Sequence, residues 1–200
     1  MDFRALVVIM MSAALVNNYV LRQFLGVCPF LGVSRELKSS AGMGIAVVFV
    51  MIIASAATWP IQNYLLDANG LGFMQTVTFI LVIATLVQLV EIVLKRYIPS
   101  LYESLGVYLP LMTTNCAVLA VTITNINHGF TFIEAIVNAL GAGLGFLLAM
   151  VIFSGIREQT ETADPPGPFK GIPLTLISAA ILSLAFFGFE GVIENLFGMS

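Results

Sequence analysis

Long apolar runs separated by short polar breaks recur along this chain. An α-helix rises about 1.5 Å per residue, so about 20 consecutive apolar residues are needed to cross the hydrocarbon core of a bilayer. The runs of this length predict six transmembrane helices, over Ala5–Leu25 with a continuation to Val33, Ala41–Tyr64, Phe73–Leu94, Leu105–Thr124, Phe132–Ile156 and Ile172–Phe197. The polar remainder is too short for a further domain. We therefore expect residues 1–200 to form one all-α integral membrane domain.

The composition agrees with a membrane protein and excludes a water-soluble domain. Hydrophobic residues make up 59% of the chain and charged residues 10%, and the mean hydropathy is +1.02. Soluble domains carry about 25% charged residues. The net charge of −3 gives no sign of the basic surface that nucleic-acid binding requires.

Six of the eight lysine and arginine residues lie in alternate predicted loops, and this sets the orientation. The exceptions are Arg4, with Asp2 beside it near the N-terminus, and Arg22, within the first apolar run. The first, third and fifth loops carry them, at Arg35, Lys38, Lys95, Arg96, Arg157 and Lys170. The loops near 66–71 and 125–129 and the C-terminal tail have none. Basic residues concentrate in cytoplasmic loops. The sequence therefore predicts a multi-pass protein of the inner (plasma) membrane with both termini on the extracytoplasmic side.

The only two cysteines of the chain lie in similar apolar sequences. Cys28 belongs to G-V-C-P-F-L-G-V and Cys116 to T-N-C-A-V-L-A-V, so both fit a pattern of Cys, any residue, apolar, Leu, small, Val. Thiolates are soft ligands that suit zinc, copper(I) and iron–sulfur clusters. The match predicts a symmetric, buried pair of thiols in a metal or redox centre.

An internal repeat accompanies the two cysteine motifs. Cys28 and Cys116 are 88 positions apart, and A-G-M-G at Ala41–Gly44 recurs as A-G-L-G at Ala142–Gly145, 101 positions later. Each half holds three predicted helices, an odd number, so the halves must cross the membrane in opposite senses. This pattern predicts two inverted repeats, about 1–100 and 101–200. Chance similarity among small apolar residues is the alternative.

The first predicted helix of each half is interrupted by polar residues, glycine and proline. The interruptions are Asn17, Asn18, Arg22, Gly26 and Pro29 in the first half and Gly106, Pro110, Thr113, Thr114 and Asn115 in the second. Proline breaks the hydrogen-bond ladder of a helix. Freed backbone groups are tolerated at membrane depth only where protein or water satisfies them. We therefore expect broken half-helices that bring Cys28 and Cys116 face to face.

Three chemical roles are open for the two thiols. A disulfide would have to form at mid-membrane depth, away from the aqueous oxidising compartments where disulfides occur. Free cysteines often only fill space, and two isolated cysteines would favour that role. The matched motifs favour metal ligation instead. An iron–sulfur cluster usually takes four thiolates, so a cluster here would need two more from a partner chain.

Four longer motifs resemble a known family of membrane subunits. They are F-L-G-V-C-P-F-L-G-V-S-R-E-L at Phe24–Leu37, F-I-L-V-I-A-T-L-V-Q at Phe79–Gln88, L-P-L-M-T-T-N-C-A-V-L at Leu109–Leu119, and G-I-R-E…A-D-P-P-G-P-F-K-G within Gly155–Gly171. Together they are similar to the family of ion-translocating oxidoreductase subunits formed by RnfA and its paralogue NqrE. Pro29 favours the Rnf type, because the Nqr motif typically lacks this proline.

The resemblance implies a non-catalytic subunit of a ferredoxin:NAD⁺ oxidoreductase, the Rnf complex, that couples electron transfer to Na⁺ or H⁺ transport. It implies pairing with a homologous protein of opposite topology, RnfE, around a shared [2Fe–2S] cluster with two cysteines from each chain. Cys28 and Cys116 would be this chain's ligands. The further partners it implies are RnfB, RnfC, RnfD and RnfG, which carry flavins and iron–sulfur clusters, with ferredoxin and NAD acting indirectly.

A reduced cluster inside a low-dielectric membrane would attract a cation. We therefore hypothesise a cation path formed by the backbone carbonyls of Leu25, Gly26 and Val27 with the side chains of Thr114 and Asn115. Three alternatives remain open: an NqrE-type subunit of a Na⁺-translocating NADH:quinone oxidoreductase, an inverted-repeat secondary transporter with structural cysteines, and a scaffold subunit that ligates nothing.

Overall fold

The computed structural model describes residues 3–34, 37–68, 70, 72–97, 114–162, 166 and 171–188, and all regular structure within these ranges is helical. The α-helices are α1 (Phe3–Met11), α2 (Val27–Val33), α3 (Leu37–Ile61), α4 (Gln75–Tyr97), α5 (Cys116–Asn127), α6 (Phe132–Thr162) and α7 (Ile172–Phe187). One π-helical segment (Ser12–Val16) extends α1, and a second (Gln62–Leu66) extends α3. A 3₁₀ turn (Gly72–Met74) leads into α4.

The helices match the predicted apolar runs, and the all-helical class is confirmed. Three helical segments in the described part of the chain are long and apolar enough to cross a membrane, Leu37–Leu66, Gly72–Val93 and Phe132–Thr160. Leu6–Val16, Cys116–Asn127 and Ile172–Phe187 form shorter apolar helices. The remaining parts of the fourth and sixth predicted helices, 105–113 and 189–197, lie outside the described residues. Six crossings therefore stay a prediction.

Helices α3 and α6 form the antiparallel centre of the fold. Gly44 on α3 packs directly against Leu147 on α6, and Val48 packs against Gly143, so the chain rises along one helix as it descends along the other. At the far end of α3, the ring of Trp59 meets that of Phe132 edge to face, with centroids 5.5 Å apart. Small residues let membrane helices approach closely. The other described helices pack against this close pair.

Helix α6 is the most enclosed long helix, and α4 is the most peripheral. In the most apolar stretch of each, 56% of the α6 residues are buried against 17% for α4. The large apolar side chains of Ile80, Leu81 and Ile92 on α4 are exposed. A bilayer or a partner helix covers such a face without any penalty for apolar exposure.

The first predicted helix is interrupted between Val16 and Val27, as the sequence predicts. Asn18 stabilises the break. Its Oδ1 accepts the backbone N–H of Val20 at 3.0 Å, and its Nδ2 donates to the Gly145 carbonyl on α6 at 2.8 Å. One asparagine therefore replaces lost helical hydrogen bonds and ties the break to the central helix.

A buried polar cluster joins α3, α5 and α6. The Asn125 Nδ2 donates to Ser55 Oγ at 3.1 Å, and the Asn138 Nδ2 donates to Asn125 Oδ1 at 2.7 Å. Side-chain hydrogen bonds of this kind link helices in membranes because lipid offers no competing partner. The cluster fixes the end of α5 that is remote from its cysteine.

The two central helices also hold the ends of the two cysteine helices. Arg157 on α6 donates through Nη1 to the Leu31 carbonyl at 2.6 Å and to Ser34 Oγ at 2.9 Å, at the end of α2. A cation at a helix C-terminus complements the partial negative charge there. Trp59 on α3 donates to the Phe130 carbonyl at 2.8 Å, just beyond the end of α5.

We expect Gly145→Ala to destabilise the protein, because a Cβ at Gly145 would lie 2.6 Å from the backbone oxygen of Ala14. Overpacking of this kind costs about 1–3 kcal/mol. Gly155 is the matched control on the same helix, since a Cβ there meets nothing within 4 Å. Thermal unfolding midpoints of the detergent-solubilised variants measure the difference. Equal midpoints for the two alanine variants would contradict the packing described for Gly145.

We expect Arg157→Gln to release the end of α2 and lower the free energy of unfolding by about 1.5–3 kcal/mol, the range for a hydrogen bond to a charged group. Arg96→Gln is the control, because Arg96 is exposed at the end of α4. Differential scanning fluorimetry compares the two variants with the unchanged protein. Equal decreases of the thermal unfolding midpoint in the two variants would contradict the role of Arg157 in holding the end of α2.

Candidate metal centre

Both cysteines lie in the first turn of a helix. Cys28 is the second residue of α2, and Cys116 is the first residue of α5. Asn115 caps α5 with an extended backbone (φ −73°, ψ 110°), and its Oδ1 accepts the N–H of Ala117 at 3.0 Å. The side chain of Asn115 thereby fixes the start of the helix that carries Cys116.

The segments that carry the two cysteines touch each other. A Cβ built on Gly26 would lie 3.1 Å from the Oδ1 of Asn115 and 3.2 Å from the Cβ of Ala117. Gly26 also has a φ of +78°, which only glycine adopts without strain. Gly26 therefore allows the chain entering α2 to press against the residues on both sides of Cys116.

This junction lies at the middle of α6, the longest of the described helices. The same Cβ on Gly26 would lie 3.0 Å from a ring carbon of Phe146, and Phe146 lies halfway along α6. From the junction, α2 leads to Arg157 near one end of α6, whereas α5 leads to Phe130, just before the other end. The two cysteine helices thus begin together and point in opposite directions.

Both thiols are free and exposed on the surface of the chain. The expectation of a pair buried within the chain itself is therefore wrong. The inward face of α5 is formed by Ala117, Val118 and Val121, which are fully buried, and this leaves Cys116 on the outward face. A soft ligand on an outward face is available to another protein.

The described residues contain no group of three or more His, Cys, Asp and Glu side chains that would hold a metal ion. The soft metal ligands among the described residues of the junction are the two thiols, Cys28 and Cys116. Two thiolates are half of the usual ligand set of an iron–sulfur cluster. The chemistry of the site therefore fits a metal centre whose other half comes from outside this chain.

The residues predicted for a cation path also lie at the junction. They are Leu25, Gly26, Val27, Thr114 and Asn115. Thr114 is exposed, whereas Asn115 is buried and uses one lone pair of its oxygen to cap α5. Their role with a cation stays a prediction.

Sequence reasoning missed two residues that position the site. Arg157 counts as a loop charge in the sequence, but it lies in the last part of α6 and holds α2. Its presence next to an apolar run is the one signal that indicates a structural role. Phe146 gives no local signal, because nothing in the sequence distinguishes it from other apolar residues of α6.

Comparison with known proteins gives the family. The profile of the Rnf-Nqr subunit family, described as a membrane protein, matches residues 6–193. The A subunit of the Na⁺-translocating ferredoxin:NAD⁺ oxidoreductase complex of Acetobacterium woodii is 54% identical over 94% of this chain and 97% of its own length. The A subunit of the ion-translocating oxidoreductase complex of Syntrophotalea carbinolica is 50% identical over 95% and 98%, respectively. The protein of the same name from Vibrio parahaemolyticus is 46% identical over 94% and 98%.

The family match extends across both cysteine motifs and from residue 6, within α1, to beyond the end of α7. The resemblance predicted from the four sequence motifs is thereby confirmed. The chain belongs to the Rnf-Nqr family of membrane protein subunits.

Proposed function

We propose that this chain is the A-type membrane subunit of an ion-translocating ferredoxin:NAD⁺ oxidoreductase of the Rnf type. The names of relatives that are 46–54% identical to it over nearly its whole length support this function. Such a complex implies further Rnf proteins, and we propose RnfE, RnfB, RnfC, RnfD and RnfG as partners. The chain itself contributes no catalytic residue, and its part is to hold a redox centre within the membrane.

The centre we propose is a [2Fe–2S] cluster that Cys28 and Cys116 share with two cysteines of RnfE. The observation that carries this proposal is the pair of exposed thiols at two helix starts that touch at Gly26. A bound cluster would supply a one-electron relay inside the membrane. This chain's contribution is to hold two thiolates outward at the middle of α6, where a partner completes the ligand set.

We infer that the two halves of the chain are inverted repeats. Helices α3 and α6, which carry the two glycine motifs, run antiparallel. Arg157 on α6 holds the end of α2, the cysteine helix of the first half. Trp59 on α3 holds Phe130, just after α5, the cysteine helix of the second half. A pseudo-two-fold axis in the membrane plane between α3 and α6 accounts for both features. A homologous partner of opposite topology is the natural complement of such a chain.

The distribution of basic residues supports a cytoplasmic position for one end of the bundle. Arg157 binds the segment just before α3, and Lys38 lies in the first turn of α3. Lys95 and Arg96 end α4, which follows α3 after a short connection and returns to the same end. The positive-inside rule then gives extracytoplasmic termini in the inner membrane.

We propose that the coupling ion, Na⁺ or H⁺, passes the same junction. Leu25 and Gly26 lie in the non-helical stretch directly before α2, and Val27 is the first residue of α2. Carbonyls of unwound segments in broken membrane helices are available to a cation. The side chain of Asn115 lies on the other side of the contact, and Thr114 directly precedes it in the chain. Reduction of a nearby centre adds negative charge at low dielectric, which draws a cation toward it.

We expect Cys28→Ser and Cys116→Ser each to abolish one [2Fe–2S] signal in the purified complex, because a cluster that loses one of four thiolates is no longer held by its full ligand set. Electron paramagnetic resonance with iron quantification measures this loss. Gly155→Ala is the control substitution on α6, where added volume meets nothing within 4 Å. Co-purification of the other subunits must be unchanged.

The opposite results separate the alternatives. An unchanged cluster inventory in both serine variants would reduce the cysteines to packing residues. Substrate-driven flux by the isolated chain would then favour a secondary transporter. Loss of assembly with every cluster signal retained would favour a scaffold role.

We expect the new thiol of His128→Cys to react from outside the cell and that of Lys38→Cys to stay protected. Both positions are exposed, at opposite ends of the bundle. The two substitutions are made separately in a chain with Cys28→Ser and Cys116→Ser, and labelled in whole cells with a membrane-impermeant maleimide. Labelling of both positions after permeabilisation is the control. The reverse pattern before permeabilisation would invert the proposed topology.

A further inference from the structure

Asn115 has a buried amide nitrogen without a partner. The residue is 4% exposed, and its Nδ2 makes no hydrogen bond within the described part of the chain. An unsatisfied buried donor costs about 1–3 kcal/mol, so most buried polar groups in proteins are paired. The position of this donor, directly before Cys116, therefore needs a functional explanation.

The orientation of the amide is fixed by the cap. The Oδ1 accepts the N–H of Ala117 at 3.0 Å, and a flipped amide would place an NH₂ group against this N–H donor. The oxygen also faces Gly26, where a Cβ would lie 3.1 Å away. The NH₂ group is therefore held as a donor at the start of α5, within the junction of the two cysteine segments.

A cation does not satisfy this group. An amide nitrogen is a donor with no lone pair to offer, so it requires an anion or another acceptor. The described residues of the junction include no Asp or Glu, whereas they include two thiols. Thiolate and cluster sulfurs accept hydrogen bonds, and such bonds help to set the reduction potential of iron–sulfur clusters.

We propose that Asn115 donates a hydrogen bond from Nδ2 to a sulfur of the centre held by Cys28 and Cys116, and thereby raises its reduction potential. This inference rests on the proposed function. Reduction adds one negative charge to the centre, and a donor stabilises the more negative state more strongly. The amide keeps its proton throughout, so Asn115 is a residue that sets the potential and takes no part in proton transfer.

The test is a potentiometric titration of the purified complex, followed by electron paramagnetic resonance. Asn115→Ala removes the donor and the cap, whereas Asn115→Asp keeps a capping oxygen and replaces the donor with a negatively charged oxygen. At a fixed ambient potential we expect the ratio of reduced to oxidised centre to fall about tenfold in the alanine variant, which corresponds to about 59 mV for one electron. The aspartate variant should shift further in the same direction, because its carboxylate adds negative charge.

Asn138→Ala is the matched control. Asn138 is a buried asparagine bonded to Asn125, and Asn125 lies nine residues along α5 from Cys116, about 13 Å at the rise of an α-helix. This variant should leave the midpoint potential unchanged. A purely structural role for Asn115 would lower cluster content while leaving the midpoint of the remaining centres unmoved, and that result would overturn the inference.

A second measurement covers variants that lose the centre altogether. Hyperfine spectroscopy of the unchanged complex, labelled with ¹⁵N in asparagine side chains, should detect coupling between the reduced centre and an amide nitrogen. Absence of this coupling would overturn the role of Asn115. If the unchanged complex has no cysteine-dependent [2Fe–2S] signal, the proposed function fails instead, so the two failures are distinguishable.

Discussion

A helix end inside a bilayer has no water to satisfy its free backbone groups, so each break at membrane depth needs its own hydrogen-bond partners. Asn18 meets this need at the first break, where it accepts the N–H groups of Val20 and Leu21 and donates to the Gly145 carbonyl. Asn115 meets it at the start of α5. The positions of both cysteine helices therefore depend on two asparagine side chains.

Contacts with the long helices fix the position of the junction and of the two cysteine helices. Phe146 sets the depth of the junction, while Arg157 and Trp59 hold the remote ends of α2 and of the chain after α5. Functional groups on well-packed elements keep their geometry better than groups on loops. Because the packing uses the inward faces of these helices, Cys28 and Cys116 are left on the outward surface.

The sequence predicts well the features that depend on neighbouring residues along the chain. It predicts poorly the features that depend on contacts between distant segments. Hydropathy alone locates the long helices. The first break is correctly predicted from Asn17, Asn18 and Gly26, because the tendency to interrupt a helix is a property of these residue types themselves. The exposure of the thiols depends on which face of α5 packs inward. The Arg157 tether joins positions more than 120 residues apart, and no pattern along the chain records such a contact.

The proposed partner follows from the same geometry. In the inverted repeat that we propose, the two thiols lie at a pseudo-two-fold junction, and two more thiols related by an axis in the membrane plane complement them most simply. A second copy of this chain does not meet that requirement, because the asymmetry of its basic residues gives every copy the same orientation in the membrane. We therefore propose as the complement a homologue whose basic residues favour the opposite orientation. A heteromeric pair, rather than a homodimer, is the arrangement that both the site and the charge distribution favour.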